Sequence, residues 1–131
     1  MEINRALLYL IDNSDQRIFP LAIQICKFFN CQLFVLFVLE EHRVSKLASL
    51  TRENTKVIRQ RMEEEGWEML YLVEDEAVEN GVRTSLHLEN GLAINVIRKY
   101  VENYKIDLIL IRRREETKKV FVASPAPVMG L

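Results

Sequence analysis

The sequence predicts an α/β fold, a doubly wound open parallel sheet of order 3-2-1-4-5 with helices on both faces, forming a single three-layer domain over residues 1–131. Three observations predict it. Ala6–Ile11, Leu33–Leu39 and Ile106–Ile111 are apolar almost without interruption, as expected of strands covered on both faces of a parallel sheet. The segments between them repeat apolar residues every three or four positions and are long enough to be crossover helices. The length of 131 residues suits one core rather than two.

Taken in order, the first strand stops at Asp12-Asn13-Ser14-Asp15, whose side chains favour turns and helix N-caps because they accept bonds from free backbone amides. A helix follows, with Pro20 tolerable in its first turn and an apolar face expected from Leu21, Ile25 and Phe28 with Ala22 and Phe29 beside them. Asn30 ends it, and Leu33–Leu39 runs as the second strand until Glu40-Glu41-His42-Arg43. From Ser45 to about Asn80 the residues form one long helix or two consecutive ones, striped by Ile58, Met62, Gly66, Met69, Val73 and Ala77. Gly66 marks either a close approach or a break, and Asn80-Gly81 supplies a left-handed stop. Val82–Leu88 alternates like a half-exposed strand near a sheet edge, and Glu89-Asn90-Gly91 turns the chain. Leu92, Ala93, Val96, Ile97, Tyr100, Val101 and Tyr104 then face one way on a further helix before the strand Ile106–Ile111. After Arg112-Arg113-Arg114-Glu115-Glu116 and two lysines, the tail with Pro125 and Pro127 has room for one short strand at most.

Composition excludes several functions. With 18 basic and 19 acidic residues there is no global field to gather nucleic acid or an anionic membrane, so any anion site must be local. The N-terminal apolar run, six residues ended by Asp12, is neither a signal peptide nor a span. Cys26 and Cys31 read as buried free thiols, which places the chain in a reducing cytoplasm. His42 and His87 have no partner at metal-ligand spacing, so no metal site is expected. Asp12 and Asp15 could act as bases, but no nucleophile elbow or paired carboxylate accompanies them, and no enzyme is expected. Trp67 is expected to lie partly buried against the sheet, with an interface anchor as the alternative.

Beyond these patterns, Leu7-Leu8-Tyr9-Leu10-Ile11-Asp12-Asn13-Ser14-Asp15 resembles the opening strand and Asp-x-Ser-Glu-type turn of the universal stress proteins. Leu36-Phe37-Val38-Leu39-Glu40 resembles their second strand, and Glu89-Asn90-Gly91-Leu92-Ala93 with Ile106–Ile111 their glycine-containing turn, third helix and fourth strand. Ser124-Pro125-Ala126-Pro127-Val128-Met129 is similar to the segment leading into their last strand. The resemblance covers nearly the whole chain.

In ATP-binding members a G-x2-G-x9-G-(S/T) loop after the fourth strand closes backbone amides around the phosphates. Here Arg112 stands at the first glycine and Glu115 at the second, the helix that follows is expected to be deleted, and the acidic pair Glu115 and Glu116 would repel a triphosphate. The resemblance implies a non-enzymatic stress-response or regulatory module with a degenerate nucleotide site and no cofactor. It further implies a homodimer paired through the last strand, Val128–Leu131. The alternative is an adenine-nucleotide (ATP/AMP) binder, in which Asp12 meets the ribose, Val38 the adenine and Arg112, with Arg113 and Arg114, the phosphates. Against these roles stand plainer ones: Asp12 as the cap of the following helix, and the arginines as a solvated loop. An adenylate-transferring enzyme lacks its glycine-rich motif after the first strand. A phospho-acceptor receiver would want an aspartate ending the third strand, where Leu88 and Glu89 stand, and a lysine after the fifth.

Overall fold

A computed structural model describes residues 2–131. Five parallel strands, β1 (Arg5–Leu10), β2 (Gln32–Leu39), β3 (Thr84–Asn90), β4 (Leu108–Ile111) and β5 (Val128–Gly130), form one sheet in the order β3-β2-β1-β4-β5. The order and direction are those the sequence predicts. Side chains alternate along β1: Ala6, Leu8 and Leu10 enter one apolar layer, Leu7 and Tyr9 the other. Burial on both faces is why these strands read as unbroken apolar runs.

The helices α1 (Phe19–Phe29), α2 (Glu41–Thr51) and α3 (Thr55–Glu79) cover the first layer, and α4 (Ala93–Tyr104) and α5 (Lys118–Ala123) the second. The long helix-forming segment is therefore two helices. They part at Arg52, in the left-handed region at φ 57°, and α3 restarts where the Asn54 side chain accepts from the Lys56 amide at 2.8 Å. Gly66 lies inside α3 as a close approach and not a break: a Cβ there would meet the Phe37 ring at 2.8 Å and Leu88 at 3.0 Å.

Four expectations need correction. The face α1 buries is Phe19, Ala22, Ile23 and Cys26, while Leu21 and Phe28 point outward, Phe28 being 82% exposed. Both stripes have helical spacing, so periodicity alone does not choose between them. The helix after β4 is shortened to the six residues of α5 rather than deleted, so the tail holds a helix as well as a strand. Val120 anchors that helix in the second layer. Trp67 is 38% exposed and stands with Tyr71, ring centroids 5.7 Å apart, on the outer face of α3. The inward positions beside it belong to Gly66, Met69 and Leu70. Cys26 and Cys31 are free and buried, as expected.

Candidate functional site: an arginine plug at the ends of β1 and β4

Strand order reverses between β1 and β4, which opens a crevice beyond their carboxyl ends. Asp12 emerges from β1 in an extended conformation and caps the 3₁₀ segment, accepting from the Ser14 amide at 3.0 Å and also from the Ser14 hydroxyl. Asp15, 1% exposed, reaches back so that its Oδ2 accepts from the amides of Ile11 at 2.6 Å and Asp12 at 3.2 Å. The turn-forming character of Asp12–Asp15 thus fixes two carboxylates at the mouth of the crevice.

The loop after β4 fills the space above them. Arg114 donates from its two terminal nitrogens to the two Asp12 oxygens, at 3.0 and 2.8 Å, in a fork-on-fork pairing, and donates at 3.0 Å to the Ser14 hydroxyl. Its Nε donates to Glu116 at 3.0 Å. Arg112 donates to Asp15 at 3.3 Å and to the Ser14 hydroxyl at 3.0 Å. Arg43, at the start of α2, donates to the Ile11 carbonyl at 3.1 Å and to Asp12 at 3.4 Å. Three guanidinium groups therefore meet Asp12, Asp15 and Glu116, and the cluster is neutral overall. Partial burial works to raise the Asp12 carboxyl, but the bonds from Arg114 and Ser14 outweigh it and hold the group well below the usual carboxylate range. The bonds from Asp12 and Glu116 in turn hold the Arg114 proton more tightly than usual.

The predicted residues divide. Asp12 and Arg112 lie in one network, joined through Ser14. Val38 is buried in the apolar layer beneath α4. Arg113 points away from the crevice, its side chain lying against the backbone of Gly130, because successive residues of an extended segment alternate in direction. Sequence reading missed Arg43, whose position just past β2 is beside the reversal point, and Glu116, which the acidic run disguises as surface charge.

Beside the plug a cavity of about 370 Å³ remains open between β1, the start of α4 and α5. Tyr9, Ile11 and Val120 line its interior, with Glu40, Leu92 and Ile94 at its sides.

A family model for the universal stress protein family matches residues 4–126. The chain belongs to the universal stress protein family. No curated protein matches. Among solved structures, a universal stress protein family member from Burkholderia pseudomallei is similar at 13% identity with a TM-score of 0.80, over 98% of this chain and 96% of that one. The universal stress protein from Archaeoglobus fulgidus in complex with dAMP aligns at 15% identity and TM-score 0.71, over 99% and 98%. A family protein from Arabidopsis thaliana with AMP bound aligns at 13% identity and TM-score 0.67, over 98% and 90%. These likenesses agree with the universal stress protein sheet order found here. No helix among the described residues is long and apolar enough to cross a membrane.

Proposed function

We propose that this universal stress protein is a non-enzymatic, cytoplasmic stress-response or regulatory module, a single domain over residues 1–131 acting as a homodimer, whose nucleotide site is degenerate. The observation that carries this reading is the bidentate Arg114–Asp12 pair. The carboxylate that would receive a ribose is occupied by a side chain from the loop that would otherwise wrap phosphates. Arg112 is likewise engaged, by Asp15 and Ser14, so a phosphate would have to compete with charge-assisted bonds already made inside the protein.

The test is calorimetric titration of the purified chain with AMP and ATP, alongside mass spectrometry of the undenatured protein. No heat of binding and no co-purifying nucleotide are expected. Saturable binding that is lost in Asp12→Ala would instead favour the second reading, an adenine-nucleotide binder using Asp12, Val38 and Arg112–Arg114. What favours that reading is that related structures hold AMP and dAMP.

The homodimer reading rests on β5. It pairs with β4 on one side and closes that end of the sheet. The Pro127 carbonyl and the Leu131 amide bond toward β4, so by alternation Val128 and Gly130 turn their backbone groups to the free edge. Unpaired strand edges of this kind are templates for pairing with a second copy.

A further inference from the structure

The cavity beside the plug has a chemistry of its own. Tyr9 is 3% exposed and lines it, yet its hydroxyl has no hydrogen-bond partner among the described residues. No buried side-chain oxygen or nitrogen among them is both sealed from space and unpartnered, so the Tyr9 hydroxyl opens onto the cavity. An unpartnered polar group in a buried setting is costly unless something completes it. Glu40, two residues beyond Val38 on the same side of the chain, lines the cavity too. One of its oxygens accepts from the Ala93 amide at 3.4 Å, at the first turn of α4, and no cation among the described residues forms an ion pair with it.

Three of the other charged side chains on the wall are already matched, and His42 is exposed. Arg43 is paired with Asp12, Glu116 with Arg114, and Glu115 with Lys118. Lys119 is at the exposed rim, where water screens it. The interior therefore offers a carboxylate and a phenol against apolar walls from Ile11, Leu92, Ile94 and Val120. The first amide of α4 is turned toward Glu40.

We propose that this cavity binds a small organic amine, its ammonium or amidinium group set between the Glu40 carboxylate and the Tyr9 hydroxyl and its apolar body against Ile11, Leu92 and Val120. The volume of about 370 Å³ lies at the small end of the range of ligand pockets, roughly 300–1,000 Å³, which suits a compact amine. The proposal rests on the reading of a plugged nucleotide site, because the plug leaves this cavity as the open part of the crevice.

The experiment is a ¹⁵N-labelled NMR titration of the full chain with 2-phenylethylamine, in parallel with 3-phenylpropionate and AMP. Saturable shifts from the amine at the amides of Leu92, Ala93 and Ile94 are expected, with no saturation from the carboxylate. Glu40→Gln keeps an oxygen for the Ala93 amide while removing the charge, and should weaken amine binding about tenfold. Tyr9→Phe should weaken it severalfold, and both variants should keep the wild-type spectrum away from the cavity. Failure of the amine to saturate, equal binding of 3-phenylpropionate, or unchanged affinity in both variants overturns the proposal. Saturable AMP shifts at Asp12 and Arg114 would overturn the plugged-site reading beneath it, whereas silence from both ligands overturns the amine site alone.

Discussion

At the scale of single residues, the Arg114–Asp12 pair joins two segments 102 positions apart in the chain. Both side chains are partly withdrawn from water, so truncating one leaves the other incompletely solvated and unpaired. Arg114→Ala is expected to lower stability at neutral pH by about 1–2 kcal/mol, since the pair is only partly buried, as measured by urea denaturation. The pH dependence follows from the direction of the Asp12 shift. A carboxyl held below its unfolded value contributes stability that is fully present above the unfolded pKa of about 3.9 and is lost as pH falls through that value toward the folded one. Arg114→Ala should flatten that acid-side loss; an acid limb as steep as in the wild type would show that Arg114 is not its source.

His87 gives a second, separable window. It stacks on Phe34 at 5.9 Å between ring centroids, meets Tyr100 edge-on at 5.0 Å, and is within 2.7 Å of the Ser85 hydroxyl. Burial lowers its pKa, with Glu89 opposing weakly. A half-buried histidine whose neutral form is favoured binds fewer protons folded than unfolded, so its contribution is complete above the unfolded pKa of about 6.5 and declines as pH falls below it. Wild-type stability should therefore drop as pH falls below about 6.5, and His87→Phe should remove most of that drop in the same denaturation series.

At the scale of elements, α3 shows how packing overrides propensity. A glycine in a helix interior costs about 1 kcal/mol relative to alanine, so Gly66→Ala ought to stabilise an isolated helix. In the fold its Cβ would strike the ring of Phe37, which is itself buried and has nowhere to go. Overpacking of that kind costs roughly 1–3 kcal/mol, and a net loss of about 0–2 kcal/mol is expected by thermal denaturation. A stabilised variant would mean that α3 and β2 can separate more easily than their contacts suggest. The rotation of α1 teaches the same lesson: Leu21 and Phe28 satisfy helical spacing as well as Ala22 and Cys26 do, and periodicity alone cannot say which stripe faces the sheet.

At the scale of the molecule, the sheet has two free edges, β3 and β5, and the proposed dimer uses the second. Val128→Pro removes an amide turned to the free edge without touching the β4 ladder. Sedimentation of the wild type is expected to show a dimer and that of the variant a monomer with an unchanged far-ultraviolet spectrum. A wild-type chain that stays monomeric at high concentration would end the homodimer reading.

What the sequence determined by itself was the order of the strands, because burial on both faces writes itself as unbroken apolar runs and the crossovers as three- and four-residue repeats. The same local logic located Asp12, whose capping role depends only on the amides that follow it, and Cys26 and Cys31 as free buried thiols. The fate of Arg112, Arg113 and Arg114 was decided only by tertiary structure. In sequence they are three equivalent cations, yet two turn into the crevice onto carboxylates from the other end of the chain and one lies along β5. That choice depends on the direction of each side chain at the end of β4 and on what the opposite strand brings within reach. Neither is encoded in neighbouring residues, and the same holds for Tyr9 and Glu40, which share a cavity because β1 and β2 are paired in parallel.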